Sequence, residues 1–267
     1  MHVIVPRPAL RPFIAQMWMS TSSGEAPGAR EHVLPTGQMH MVFRLSGPTL
    51  RTYSGADDTV GSRIAVPVLG GARTSFYVKD MAGPVVSVGV QLLPGASQAL
   101  FGLSAAELAG RHTPLPDVWG MRSDSVLQQL AEAPDPQRAL AALESLLASH
   151  LLSTPKLHPS VACAIAQCSH ISRIEEMVDG SGYSHRGLLA LFRQATGMSM
   201  KRYARLMRLQ RLLAALRNKP ATPLSTLALE AGFSDQAHMT REFREFAGVT
   251  PSHYRLTAPA SANHVKL

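Results

Sequence analysis

Apolar residues follow two different rhythms along this chain. Up to about residue 95 they come in short runs, at 13–20, 38–45, 64–69, 74–78 and 85–93, separated by Gly, Pro, Ser and Asp. Runs of that length with turn residues between them predict β-strands, and a series of them predicts a small barrel or sandwich. After Gly95 the spacing becomes helical. Short helices are expected over 97–102 and 104–109, and longer ones over 121–133 and 136–152. The last carries Leu140, Leu143, Leu147 and His150/Leu151 on one stripe, suited either to a core face or to a dimer seam. The segment 153–158 breaks the pattern and reads as a linker.

From there on the apolar spacing is helical throughout. Leu224, Leu227, Ala228 and Ala231 fall at i, i+3, i+4 and i+7, one face of a helix. Thr222 stands at the cap position and Pro223 at the first helical position. Gly232 supplies a turn, Ser234 is placed to cap a second helix, and Asp235 suits its positive end. Met239, Phe243 and Phe246 are the buried side of that helix, which stops at Gly248 ahead of Pro251. Its other side carries Gln236, His238, Thr240, Arg241 and Arg244. Arg can pair with guanine O6/N7 and Gln with adenine N6/N7 in a major groove. A short helix, a glycine turn and a polar second helix make a helix-turn-helix, although a plain helical hairpin with a solvated face has the same pattern.

A second copy separates the two. Ser172-Arg-Ile-Glu175 is a capping box. Gly182-Tyr183-Ser184 matches Gly232-Phe233-Ser234, 50 residues further on. Leu188, Leu191, Phe192 and Ala195 form the next apolar face, ended by Gly197. Ser184, His185, Arg186 and Arg193 are the polar residues of this copy. Between the copies, 200–216 keeps a helical period through Tyr203, Leu206, Leu209, Leu213 and Leu216. Lys201, Arg202, Arg205 and Arg208 offer candidate phosphate contacts there. Charge agrees: residues 1–152 hold 11 basic and 11 acidic residues, whereas residues 153–267 hold 15 basic and 7 acidic. All of the chain's net charge of +8 therefore sits in the half that holds the doubled motif, as a polyanion partner requires. Residues 1–152 alone are expected to fold without binding DNA, and residues 154–267 alone to bind it.

These residues resemble the DNA-binding domain of AraC/XylS-family transcriptional regulators over about 158–256. The resemblance rests on Gly182-Tyr-Ser, the run from Leu191 to Ser199, Tyr203 to Leu213, Ala231-Gly-Phe-Ser-Asp-Gln, Arg241-Glu-Phe-Arg, Gly248-Val-Thr-Pro and Tyr254-Arg255. A looser likeness to the N-terminal domain of one subgroup rests on Pro8-x-Leu-x-Pro-Phe, Trp18, Leu34-Pro-Thr-Gly, 89–95 and 115–120. The resemblance implies an α+β chain with a β-rich, cupin-like N-terminal barrel and flanking helices. An all-α domain of two helix-turn-helix units joined by a linker helix follows. The divisions are 1–152 for sensing or association, 153–158 for the linker, 159–256 for DNA binding, and 257–267 for a disordered tail. It implies base contacts from Gln236, Ala237, His238 and Arg241 in the C-terminal copy. In the N-terminal copy the matching positions are Arg186, Leu189 and Ala190, of which the last two lack hydrogen-bonding side chains. Double-stranded DNA is the implied partner, with a small-molecule effector, RNA polymerase and a second copy of the chain as further ones.

Other chemistries are less well served. Metal-binding cupins use two His one residue apart, followed by a Glu. His40 has Gln38 and Val42 two positions away, and neither it, His32 nor Glu31 completes such a set. Trp18, His40 and Arg44 are candidates for a ligand pocket, with core or surface duty as the alternative. An alkylation-repair methyl acceptor needs four cysteines, and only Cys163 and Cys168 exist. The expectation is a cytoplasmic, non-enzymatic regulator without cofactor or metal, with no apolar run long enough to span a bilayer. The alternative is a DNA-binding protein whose N-terminal domain only associates with other proteins.

Overall fold

The computed structural model describes residues 1–55, 58–120, 123–152, 157–168, 184–259 and 261–267. The capping box at 172–175 and the turn residues Gly182 and Tyr183 lie outside them. Ten strands form in the N-terminal region: β1 (His2–Ile4), β2 (Ile14–Ser22), β3 (Arg30–Val33), β4 (Met39–Ser46), β5 (Arg51–Tyr53), β6 (Ser62–Arg63), β7 (Val68–Gly70), β8 (Tyr77–Asp80), β9 (Val85–Leu92) and β10 (His112–Pro114). Helices α1 (Ala96–Phe101), α2 (Ala105–Leu108), α3 (Pro116–Trp119), α4 (Ser123–Ala131) and α5 (Pro136–Ser149) fall between and after them. The strands build a six-stranded sheet in the order β1-β2-β9-β4-β7-β10 and a smaller sheet containing β3-β8-β5-β6.

Alternation along the strands decides what each face of the larger sheet meets. Met17, Met41, Phe43, Leu69, Val88 and Val90 are fully buried and turn toward α4 and α5, where Leu140, Leu143 and Leu147 complete one core. The helical stripe is therefore a core face rather than a seam. Each such side chain contributes roughly 1.5–3 kcal/mol by leaving water. The opposite face looks across at the smaller sheet and carries Trp18, His40 and Arg44.

The C-terminal region is helical: α6 (Pro159–Gln167), α7 (His185–Thr196), α8 (Met200–Asn218), α9 (Leu224–Glu230), α10 (Gln236–Ala247) and α11 (Pro251–Thr257). Two expected caps move by one residue. Pro223, not Thr222, occupies the position before α9 and makes no side-chain cap. Asp235, not Ser234, caps α10, its carboxylate accepting from the His238 N–H at 2.7 Å. An ionised carboxylate there answers the helix dipole better than a hydroxyl does. Gly197 and Gly248 end α7 and α10 in left-handed conformation, at φ 79° and φ 71°.

The tail departs from its expectation altogether. His264–Lys266 forms β11 on the free edge of β3, with Val265 buried and Leu267 N–H donating to Arg30 O at 3.0 Å. The Ala/Ser/Pro stretch before it reads as disorder, but the short His-Val-Lys run has the alternation an open strand edge needs. A cut at the linker would consequently leave residues 1–152 one strand short. The run 64–69 also shortens, because Pro67 has no N–H for a ladder bond and the strand begins at Val68.

Candidate nucleic-acid interface

In α10 the apolar side, Met239, Phe243 and Phe246, is fully buried against α8 and α11, which leaves Gln236, Ala237 and Arg241 exposed on the other side. Gln236 and Arg241 make no side-chain hydrogen bond or ion pair among the described residues, so their donor groups are available. Two neighbours are occupied. His238 Nδ1 lies 3.0 Å from Ser234 Oγ and its Nε2 3.4 Å from Glu242, with the ring edge-on to Phe233. Thr240 Oγ1 donates to Gln236 O at 2.8 Å. His238, a candidate base contact, and Ser234 thus touch one another at the start of the helix. Arg244 lies at the other end, in an open groove of about 740 Å³ shared with Arg30, His32 and His253. Apart from Arg244, the exposed polar groups of α10 left unpaired among the described residues thus lie in its N-terminal half.

The linker helix α8 holds that surface in place. Arg205 Nε donates to Glu242 Oε1 at 2.6 Å, and its Nη2 donates to Glu245. Arg208 reaches Glu242 at 3.3 Å, and Arg202 binds Glu245 and Thr74 O. Arg202 and Arg205 also cover the Phe246 ring. The hydrogen bond from Arg205 leads the causes that hold the Glu245 carboxyl below its usual range. Of the candidates for phosphate contacts, Arg202, Arg205 and Arg208 here meet Glu242, Glu245 and Thr74 O, and Lys201 is exposed. Glu242, only 8% exposed, collects two of these arginines, and the sequence reading missed it. Its signal was a carboxylate on the apolar side of one helix, opposite a helix with Arg every three or four residues.

The N-terminal copy presents α7. Ser184 caps it, accepting from the Gly187 N–H at 3.2 Å. His185, Arg186, Ala190 and Arg193 are exposed, while Leu188 and Phe192 are fully buried. Both reading helices end on the N-terminal region. Ala195 O accepts from Gly95 N–H at 3.0 Å and Gln194 O from Ser104 Oγ at 3.3 Å. Ala247 O accepts from His32 Nδ1 at 2.8 Å and Phe246 O from Phe76 N–H at 3.0 Å. The carbonyls left over at each helix end are thereby satisfied by the barrel side.

This arrangement matches known sequences. A family described as a helix-turn-helix domain covers residues 177–257, and a domain family of unknown function, DUF6597, covers residues 2–114. The transcriptional activator RhaR of Pectobacterium carotovorum is 31% identical over 145 residues, 51% of this chain and 48% of its own length. The multiple antibiotic resistance protein MarA of Salmonella typhimurium is 32% identical over 84 residues, 32% of this chain and 65% of its own. The chain carries the helix-turn-helix domain of the AraC/XylS family. It spans about half the length of RhaR. An apo form of ToxT from Vibrio cholerae shares the AraC-type fold with a TM-score of 0.50 at 13% identity, covering 91% of this chain and 98% of that one. A ToxT bound to (E)-4-(8-methylnaphthalen-1-yl)but-3-enoic acid gives 0.50 at 11% identity, covering 91% and 99%. Within this AraC-type frame Cys168 has no activated character. Cys163 is exposed, and burial pushes the Cys168 thiol up to about 11, the reverse of a nucleophile.

Histidines of the barrel make stability depend on pH. Burial, then the neighbouring Arg73, pushes His40 down to about 4 and His112 down to about 3. Unfolded, both titrate near 6.5. Their contribution is complete above that value and is lost as pH falls below it toward the folded values. Thermal melts at descending pH should show about 1 kcal/mol lost per histidine by about pH 5.5. His40→Gln should flatten the slope, and an unchanged slope would remove His40 from this account.

Proposed function

We propose that this protein is a sequence-specific DNA-binding transcriptional regulator without enzymatic activity, acting in the cytoplasm. The carrying observation is the pair α7 and α10, each with its apolar side buried and an exposed polar side, joined by one braced helix. Net charge of the C-terminal half supports a polyanion partner, since Lys and Arg at phosphates release counterions. Among the described residues no helix is long and apolar enough to cross a membrane. The N-terminal region is the controlling half: it touches the end of each reading helix, so a ligand or a protein partner there has a route to DNA affinity.

Selection of bound sites from random duplex DNA tests the reading directly. A consensus with two half-sites about one helical turn, ~34 Å, apart is expected. Arg241→Ala should cost about 1–3 kcal/mol and relax preference at one base pair. Arg193→Ala should weaken all sequences alike, as a phosphate contact would. Affinities for single-base variants of the selected site give both results. Intact preference in Arg241→Ala together with lost preference in Arg193→Ala would reverse the assignment.

A further inference from the structure

The short segment between β7 and β8 touches both reading helices. Residues 71–76 form neither strand nor helix. Gly197, the left-handed residue that ends α7, faces the start of the segment. A Cβ there would stand 2.9 Å from Ala105 O and 3.4 Å from the Ala72 Cβ. Midway, Thr74 O accepts from Arg202 Nη2 of α8 at 2.9 Å. At the end, Phe76 N–H donates to Phe246 O in the last turn of α10 at 3.0 Å. The Phe76 ring lies against Gly248, the left-handed residue that ends that helix. Ala72, Thr74 and Phe76 thus meet α7, α8 and α10 in chain order, and Gly197 and Gly248 hold equivalent places in the two copies.

The segment is pinned on its barrel side as well. Gly71 N–H donates to Arg111 O at 2.9 Å, and Ala72 O accepts from Gly110 N–H at 3.0 Å. A Cβ at Gly71 would fall 1.7 Å from Leu108 O, so α2 lies directly on the backbone there. Arg73 Nη2 stands 3.0 Å from His112 Nδ1, and Phe76 stacks on His32 with ring centres 4.2 Å apart. From Ala72 to Phe76 are four residue steps, at most about 14 Å of extended chain. Along the chain, α7 reaches α10 by way of α8 and α9, through turns at 197–199, 219–223 and 231–235. Rotation at any of these turns alters the separation of the reading surfaces. The arginines of α8 hold α10, and residues 72–76 add α7 to the same frame. They close the path into a ring, in which no joint turns without breaking a packed contact elsewhere. The contacts lie at the C-terminal ends, away from Gln236, Arg241, His185 and Arg186, so they set position without covering those side chains.

We propose that residues 72–76 are a spacer that sets the separation of the two reading helices, and with it the number of base pairs accepted between the half-sites. Phe76 is the positioning residue at α10, and Ala72, with Ala105, at α7. One base pair more or less moves a half-site by about 3.4 Å and turns it by about 35° round the duplex. A fixed frame rejects that change unless the DNA is twisted to fit. The proposal rests on the reading of α7 and α10 as base-reading helices and names what fixes the distance they measure.

Affinities of the full chain for the selected DNA site, and for the same site with one or two base pairs added or removed between its half-sites, test it. The parent should lose about tenfold or more per base pair of misfit. With two glycines inserted between Thr74 and Ser75, the loss per base pair should shrink to about threefold or less, because the frame is opened without touching either helix. Phe76→Leu keeps the N–H bond and an apolar side chain but withdraws the ring from Gly248, and its loss per base pair should fall between. Each variant is qualified by a cooperative melt, and if the insertion fails that check Phe76→Leu carries the test. A purely structural defect lowers affinity for every duplex alike and leaves the ratio between spacings unchanged. A parent indifferent to spacing, or a qualified variant with the parent's ratio, would overturn the spacer and leave base reading intact. A parent that selects no two-part site would overturn the reading itself, and the spacer with it.

Discussion

Glu242→Ala is expected to destabilise the chain by about 2 kcal/mol and to weaken DNA binding at every sequence tested. The carboxylate is nearly buried, and the side chains of Arg205 and Arg208 that it receives are only 22% and 25% exposed. Removing it leaves two partly desolvated guanidinium groups without a counter-charge, which costs more than the pair contributes when intact. It also frees α10 to shift against α8, so the DNA effect arises without loss of a base contact. Glu242→Gln keeps an acceptor and should lose less. Denaturant melts and DNA affinity of both variants check this. Equal stability of Glu242→Ala and the parent would mean that the arginines find water as easily as they find the carboxylate.

Gly248→Ala should cost about 2–3 kcal/mol, more than the same change at Gly232. Both glycines hold positive φ, 71° and 89°, where alanine is strained by about 1 kcal/mol. They differ in surroundings. A Cβ at Gly248 would meet the Phe76 ring at 2.5 Å and His32 Cε1 at 2.7 Å, whereas at Gly232 the nearest atom is an arginine end 3.6 Å away. The excess at Gly248 measures the contact between α10 and the barrel side, because the two rings must retreat to admit a methyl group. His32→Ala should relieve part of it, so the double variant should be less than additive. Melting of the four proteins of that cycle decides the matter, and strict additivity would disconnect the rings from Gly248.

Helix identity was legible because period and glycine stops are local properties. Leu188 and Phe192, or Met239 and Phe243, announce their buried side through spacing alone, and Gly197 and Gly248 mark the ends. The long strands β2, β4 and β9 were legible for the same reason. Strands β1, β3, β5, β6 and β10 were not. They run two to four residues, too short for alternation to register, and exist because a longer neighbour offers a ladder. The candidate site divided along the same line. Exposure of Gln236 and Arg241 follows from helix geometry. The diversion of Arg205 to Glu242, or of His238 to Ser234, depends on what lies across from them in space, which spacing along one helix does not encode. Trp18, His40 and Arg44, named as pocket candidates, do share one face, but Arg73 and His112 came into view only through sheet register.

The last strand has a consequence in time. Glu31 and His264 pair across 233 residues of chain, so β11 reaches β3 only by closing a loop that contains every helix of the C-terminal region. The smaller sheet therefore waits for its edge while α7 to α11 are already available to fold. Closure of so long a loop is slow compared with helix formation. In refolding from the unfolded chain, these helices are expected to form while the smaller sheet is still open along β3.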